Sequence, residues 1–529
     1  MPSFSGLSPQ KRAFLAGTLL LTATGFACRV LGFFYRIFLS RTIGAEGLGL
    51  YNMVHPVFGI CFSVCAGSIQ TALSQYIAAH VSQGKKVFLS GLVVSMLLSI
   101  LMALGISHSS HWIASRILLE ERCTPLLPVI ALSVPFAAFH ACINGYYYGM
   151  QKSRVPAFSQ VAEQVVRMGL VFLIADIWME QGREITVELA VLGHLIGEIA
   201  SACFTLCALC LVPPQKAGDA ADTLSRTSSA AFPADSPAYP HPASWLSLSI
   251  PLMTLALPLM GNRLVLNLLG SAEAIWIPSR LQTFGLNSDE AFSIYGVLTG
   301  MAMPFILFPS AITNSMAVLL LPAVAKAQSA GNKERISNTI SMAIRYSLYM
   351  GIFCVGIFRI YGHSLGTSVF HDSNAGTYIS ILAWLCPFMY LATTMGSILN
   401  GLGKTSTTFA QNVAAMIFRL GFVVFGIPRF GILAYLWGLL GSEILLACLN
   451  LVSLSRIAEF SWAPLETLIK PALTLILSIG FCRALLSCPL PIFHVLHSLP
   501  VFFNTAVQIG IIGLGYGGIL LILHWWKES

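Results

Sequence analysis

Long apolar segments, each bounded by polar or charged residues, follow one another along almost the whole chain. Continuous apolar segments of about 20 residues predict membrane-spanning helices, and they differ from the short alternating strands of membrane barrels. The pattern predicts fourteen helices, at roughly 13–40, 48–80, 86–107, 124–148, 155–178, 187–212, 246–270, 292–321, 338–360, 376–400, 405–427, 431–455, 465–486 and 498–525. We therefore expect an all-α integral membrane protein.

The composition agrees with a chain that lies mostly in a membrane. Of its 529 residues, 56% are hydrophobic and 9% are charged, whereas a soluble domain has roughly 25% charged residues. The 13 cysteines lie mostly in the apolar segments, where free cysteine is usually a small packing residue, and no metal site is expected. There is no nucleotide-binding loop, so we expect neither ATP nor a cofactor, and the net charge of +8 sits in short loops rather than marking a nucleic-acid surface.

Positive residues mark one side of the predicted membrane topology. The lysines between the helices fall in every second connection, as at Lys152, Lys326 and Lys404. Cytoplasmic loops carry the excess of Lys and Arg, so these connections and both termini are predicted to be cytoplasmic.

One long connection divides the chain. Residues 213–245 are rich in Ala, Ser, Pro and Asp without periodicity, which predicts a flexible cytoplasmic linker. The predicted domains are an N-terminal lobe at 1–212, a C-terminal lobe at 246–456, and two additional helices at 457–529.

The two predicted lobes are related in sequence. Residues 149–171 align without gaps with 401–423, so Arg167 corresponds to Arg419, and at a slightly shorter offset Glu198 corresponds to Glu443. Because both copies enter the membrane from the same side, this is a parallel repeat with its pseudo-twofold axis along the membrane normal. Transporters built in this way bind substrate between the repeats and rock about the site.

Arginines interrupt several apolar segments, and cations there usually face water or a partner. Arg29 and Arg36 are seven residues apart, so they lie on one face of the first helix. Arg263 occupies the equivalent stretch of the seventh helix, on the predicted opposite lobe. These three residues are the candidate substrate-binding site, because Arg binds phosphate groups bidentately.

The remaining intramembrane charges have two open interpretations. Glu163 and Arg167 are spaced i, i+4, which favours a structural ion pair. Glu198 and Glu443 either bind a coupling cation or proton, or serve as counter-ions for Arg167 and Arg419. The driving force is left open between Na⁺, H⁺ and the membrane potential.

Two sequence motifs carry a resemblance to a known group. The stretch RVLGFFYRIFLSRTIGAEGLGLY at 29–51 and the stretch FPSAITNSMAVLLLPAVAKAQSAGNK at 308–333 resemble the multidrug/oligosaccharidyl-lipid/polysaccharide exporter superfamily. Within it, the chain is similar to the branch of stage V sporulation proteins and MurJ-like lipid II flippases. The resemblance covers essentially the whole chain and implies fourteen helices, as two six-helix lobes plus two C-terminal helices.

The resemblance also assigns roles to residues. Arg29 matches the arginine of the R-[VIL]-L-G-F motif, which implies that it faces a central cavity, and Arg36 falls one place beyond the group's second arginine. Cys61-Phe62 and Met301-Ala302-Met303 stand where lipid II flippases carry further cavity arginines, a departure that fits the sporulation branch better.

The expected function is that of a flippase in the bacterial cytoplasmic membrane, not an enzyme. The resemblance implies an undecaprenyl-diphosphate-linked glycan as the substrate, a cell-wall or spore polysaccharide precursor, with membrane lipids as the other partner. A cation-coupled multidrug exporter of the same superfamily is the first alternative, and it would need acidic cavity residues. A membrane glycosyltransferase is the second; its largest outer loop, near 108–122, offers only Glu120 and Glu121.

Overall fold

The structure is a computed structural model that describes residues 9–211, 245–460, 463–487 and 500–528. The predicted linker at 213–245 lies outside these residues except for its last position. Within the described residues every regular element is helical, which confirms the predicted all-α class.

The helices before the linker are long and closely follow the predicted segments. They are α1 (Pro9–Thr42), α2 (Gly44–Phe62), α3 (Ser68–Ala79), α4 (Gly84–His108), α5 (Leu126–Gly149), α6 (Arg154–Glu180) and α7 (Val187–Leu211). A π-helical turn at Ser63–Gly67 joins α2 to α3 without a break, so the two form one apolar element.

The helices after the linker are more often interrupted. They are α8 (Trp245–Phe284), α9 (Ser288–Gly296), α10 (Met303–Leu307), α11 (Ser310–Ser329), α12 (Lys333–Phe370), α13 (Ser373–Leu382), α14 (Cys386–Gly401), α15 (Thr405–Gly421), α16 (Ile432–Ser455), α17 (Lys470–Leu486) and α18 (Val501–Glu528). π-helical turns at Val297–Ala302, Phe422–Gly426 and Leu465–Ile469 extend α9 into α10, lengthen α15 and precede α17.

Fourteen helices within the described residues are long and apolar enough to cross a membrane. Two details differ from the predicted fourteen. The predicted segment 292–321 is not one helix: it is divided into Ser288–Leu307 and Ser310–Ser329, because Pro309 has no backbone N–H to continue the helix. The helix α6, which matches the predicted segment 155–178, is 27 residues long but is not in this set of fourteen.

The described residues pack as two compact units. The first unit comprises 1–35 and 50–275, and the second comprises 36–49 and 276–529. These boundaries differ from the predicted lobes at 212 and 246, because 246–275 packs with the first unit. The 40-residue helix α8 is about 60 Å long, twice the thickness of a membrane core; its residues up to Ile275 belong to the first unit and those from Trp276 belong to the second. The division into lobes stays a prediction.

The core of the first unit lies between α3, α4, α5 and the start of α8. Ile69, Leu73, Ile77, Tyr147 and Leu252 are fully buried there. Glycine allows close approach: a methyl group at Gly145 would lie 2.7 Å from the carbonyl oxygen of Gln70. Small residues at such contacts are characteristic of helix packing in membranes, where there is little hydrophobic force between helices.

The second unit is organised around the 38-residue helix α12. It packs against α13, α14, α17 and α18, and Gly351 contacts Pro387 closely enough to exclude a side chain. The last helix is fixed by the Tyr516 hydroxyl, which donates to the carbonyl oxygen of Tyr349 at 2.9 Å, and by the Tyr361 hydroxyl, which donates to Gln508 at 2.8 Å. The two C-terminal helices are therefore an integral part of this unit.

Candidate functional site

Arg29 is the arginine deepest in the first predicted segment. The apolar part of α1 runs from Leu20 to Thr42, so Arg29 lies about 14 Å from one end and about 20 Å from the other. It is exposed, and among the described residues it has no hydrogen-bond or ion-pair partner. An exposed guanidinium at this depth is costly in hydrocarbon unless it faces water or an anion.

The other arginines of α1, Arg36 and Arg41, belong to the second unit and bind backbone within it. Arg36 Nη1 donates to the carbonyl oxygen of Thr299 at 3.3 Å. Arg41 donates from Nε and Nη2 to the carbonyl oxygen of Val369, at 2.9 and 2.7 Å. Both arginines are therefore engaged by backbone of their own unit, and Arg36 is only partly exposed.

Arg263 lies in the first unit, the unit that also contains Arg29. It is exposed, and its Nη2 donates to the Thr71 hydroxyl at 3.0 Å. Its guanidinium also lies against Gly67, the last residue of the π-helical turn. One turn later, Asn267 donates to the Ser63 hydroxyl at 2.5 Å. The part of α8 from Arg263 to Asn267 is thus bound to a helix distortion of the kind often found at functional sites.

Glu163 and Arg167 form an ion pair along α6, the pairing that their i, i+4 spacing favours. Both side chains are mostly buried. The guanidinium of Arg167 also occupies the space beside Gly197 of α7, where a methyl group would lie 2.7 Å from Nη2.

Glu198 is the centre of a buried polar cluster in the first unit. Its Oε2 is 2.7 Å from Nε2 of His140, on α5, and its Oε1 is 3.9 Å from Nε2 of His194, on its own helix. The ring of His194 contacts His55 and Phe58, with centroids 5.2 and 4.4 Å apart. Glu198 therefore interacts with histidines, while Glu163 pairs with Arg167.

The corresponding residues of the second repeat lie in the second unit. Arg419 on α15 and Glu443 on α16 are partly exposed, and these two helices pack together as α6 and α7 do. The offset that aligns Arg167 with Arg419 also aligns Pro135 with Pro387, and it places Ala392 opposite His140 and Ala415 opposite Glu163. The shorter offset places Leu439 opposite His194. The second repeat thus keeps the Arg and the Glu but lacks the rest of the cluster.

Sequence reasoning singled out Glu198 but missed His55, His140 and His194. Each is a titratable residue inside an apolar segment, which is an unusual position for a polar side chain. The sequence alone shows this position inside an apolar segment, and nothing more about these histidines. What only the structure supplies is that three separate helices bring these histidines together.

Comparisons with known proteins agree with this architecture. The profile of the family described as polysaccharide biosynthesis protein matches residues 14–328. Stage V sporulation protein B of Bacillus subtilis (strain 168) is 26% identical over 460 residues, covering 85% of each chain. Lipid II flippase MurJ of the same organism is 21% identical over 434 residues, covering 77% of this chain and 76% of that protein. A solved structure of lipid II flippase MurJ in an inward closed conformation superposes with a TM-score of 0.69 at 14% identity, covering 97% of this chain and 100% of that one.

Proposed function

Because this chain belongs to the family of polysaccharide biosynthesis proteins, we propose that it is a lipid-linked saccharide flippase. It is a multi-pass transporter of the multidrug/oligosaccharidyl-lipid/polysaccharide exporter superfamily. Its substrate is a polyprenyl-diphosphate-linked saccharide, a precursor of peptidoglycan or of another cell-wall or spore polysaccharide. It moves this lipid outward across the bacterial cytoplasmic membrane by alternating access, with both termini in the cytoplasm.

The observation that carries this proposal is the environment of Arg29. It is an exposed guanidinium near the middle of an apolar helix with no partner in the described residues. A diphosphate supplies two adjacent anionic groups that match the planar fork of arginine. Arg29 binds the diphosphate in this proposal, with Arg36 and Arg263 as the further cations of the site, while the polyprenyl chain stays in the bilayer.

The choice of substrate follows two relatives whose names state a role. One is named for sporulation and the other for lipid II transport. Cys61-Phe62 and Met301–Met303 depart from the arginines expected of lipid II flippases. We therefore propose a polyprenyl-diphosphate-linked saccharide as the substrate. This class includes precursors of the spore polysaccharides and precursors of the vegetative cell wall.

The alternative drug exporter would use acidic residues to bind cationic substrates. In the described part of the chain, Glu163 and Glu198 of the first repeat are both engaged: Glu163 pairs with Arg167 and Glu198 with His140. These carboxylates are therefore poorly placed as a drug-binding surface.

The alternative glycosyltransferase would need catalytic carboxylates in an outer loop. Glu120 accepts hydrogen bonds from the side chain of Arg122, at 2.7 Å from Nε, and from its backbone N–H at 3.3 Å. A carboxylate held in this way stabilises the short turn at Glu121–Cys123 and is a poor general base.

The proposal is tested by depleting a bacterium of its lipid II flippase and expressing this chain. Wild type should restore growth, Arg29→Ala should not, and Arg29→Lys should do so partly, because a lysine keeps the charge but loses the bidentate fork. Membrane levels of each variant are measured in the same cells.

Arg359→Ala is the matched control. Arg359 is also an exposed arginine on an apolar helix without a partner in the described residues, but it lies on α12 and outside the proposed site. This variant should restore growth. Rescue by Arg29→Ala as good as wild type would overturn the placement of the site, and failure of well-expressed wild type would overturn lipid II as a substrate.

A further inference from the structure

The polar cluster around Glu198 has features that a simple counter-ion network does not need. In the described residues, this part of the first unit holds four buried polar atoms without a hydrogen-bond partner: Tyr35 Oη, His140 Nδ1, Arg167 Nε and His194 Nε2. Tyr35 packs against Gly193, one residue from His194. Such atoms are rare in folded proteins and usually mark bound water or a functional role.

The formal charges of the cluster do not balance without a proton. Glu163 and Arg167 cancel each other as an ion pair. Glu198 then remains as a negative charge beside His140, with its side chain more than nine-tenths buried. If His140 is neutral, the cluster carries one uncompensated negative charge inside a membrane helix bundle, which is unfavourable. One bound proton, shared between His140 and Glu198, neutralises it.

The titratable groups around Glu198 come from its own helix and from the helices packed against it. His194 lies on the same helix, and the neighbouring helices contribute the side chains Cys28, Tyr35, Tyr51, His55, His140, Glu163 and Arg167. Arg167 is the cation among them that is always charged, and it is already paired with Glu163. The shared proton of the His140–Glu198 pair is therefore what sets the net charge.

The repeat provides an internal comparison. The second repeat keeps Arg419 and Glu443, yet Ala392, Ala415 and Leu439 stand where the first has His140, Glu163 and His194. An arginine and a glutamate are thus enough for this helix pair to pack. The histidines of the first unit are therefore not needed for this packing, and we look for another role for them.

We propose that the His140–Glu198 pair, with His194 beside it, is a proton-binding site that couples transport to a proton gradient. This inference rests on the proposed flippase function. Proton binding closes a neutral, charge-assisted hydrogen bond between α5 and α7. Proton release leaves a buried negative charge, which favours an arrangement in which water reaches Glu198.

Proton binding is tested directly on the full-length purified protein, by infrared difference spectroscopy of carboxyl and imidazole bands during a pH titration. Wild type should show a titrating carboxyl band that Glu198→Gln abolishes and that His140→Gln moves to a different pH, because the carboxyl then loses its imidazole partner. Glu188→Gln is the matched control, because Glu188 is an exposed glutamate at the start of the same helix; this variant should keep the band. If Glu198→Gln does not fold, His140→Gln decides: it keeps a hydrogen-bonding side chain and removes the imidazole, so a band at the same pH as in wild type would overturn the shared proton.

Coupling is tested in proteoliposomes with a fluorescent undecaprenyl-diphosphate saccharide. A gradient that is acidic on the receiving side should raise the steady-state ratio of delivered to remaining lipid, by up to about tenfold per pH unit for one coupled proton. His140→Gln should lose this response and Glu188→Gln should keep it.

The outcomes separate the two proposals. If wild type moves no lipid but the Glu198-dependent band is present, the flippase function fails and the proton site stands. If wild type moves lipid equally with and without the proton gradient, the inference is overturned and the flippase function stands. A response to a Na⁺ gradient alone, or a titrating band that neither substitution changes, also overturns it.

Discussion

His140 and Glu198 are 58 positions apart in sequence, yet Nε2 of one lies 2.7 Å from Oε2 of the other. The contact joins α5 to α7 in the interior of the first unit. It exists because α5, α6 and α7 pack against one another, with Arg167 filling the space that glycine leaves on α7. The polar cluster is therefore a product of helix packing.

Substitution of Gly197 should test that packing. A methyl group there would lie 2.5 Å from Nε of Arg167 and 2.7 Å from Nη2, so the guanidinium must move and its ion pair with Glu163 must be disturbed. We expect Gly197→Ala to lower the free energy of unfolding by roughly 1–3 kcal/mol. Thermal unfolding of the purified protein measures it.

Gly169→Ala is the control for this substitution. Gly169 lies on α6 in the same unit, and a methyl group there would meet nothing within 4 Å. Its apparent melting temperature should equal that of wild type or exceed it, because alanine favours the helix. Equal melting temperatures for Gly197→Ala and wild type would contradict the described packing.

Binding of the diphosphate should depend on Arg29. Removal of one charge-assisted hydrogen-bonding group costs about 1.5–3 kcal/mol, which corresponds to roughly 10- to 150-fold weaker binding. We expect this loss for Arg29→Ala with undecaprenyl diphosphate in nanodiscs, measured by ligand-induced thermal stabilisation. Arg359→Ala should bind like wild type, and unchanged binding by Arg29→Ala would place the diphosphate elsewhere.

Cys123 should be inert to thiol reagents in the folded protein. It lies in the short turn at Glu121–Cys123, where burial, and to a lesser extent the nearby Glu120, raises the pKa of its thiol to about 12. Only the thiolate reacts, so a raised pKa lowers reactivity at every pH below 12. At pH 8, Cys123→Ser should leave maleimide labelling of folded protein unchanged.

The same labelling after denaturation in detergent is the control. There Cys123→Ser should bind one maleimide fewer than wild type, because all thiols are then accessible. A loss of one label in the folded state as well would show that Cys123 is accessible and ionised near neutral pH.

Tyr516 should anchor the last helix. Its hydroxyl donates to the Tyr349 carbonyl, and its ring stacks on Phe353 with centroids 5.3 Å apart. Tyr516→Ala removes both interactions and leaves a cavity, so we expect a loss of about 3–5 kcal/mol of stability. Tyr516→Phe should lose only the hydrogen bond, about 0.5–1.5 kcal/mol. Limited proteolysis between α17 and α18 and thermal unfolding would check both, and equal values for the two variants would contradict the stacking.

The sequence by itself determined the helical class, most helix positions and the repeat that pairs Arg167 with Arg419 and Glu198 with Glu443. The length of an apolar segment and the i, i+4 spacing of two residues are local properties, so the sequence alone is enough to recognise them. It did not determine that 292–321 is divided at Pro309, or that residues 246–275 pack with the first unit. It also gave no indication that His140, rather than Arg167, would contact Glu198. Those outcomes depend on which helix faces meet, and the tertiary structure decides them because contacts between distant segments have no local pattern.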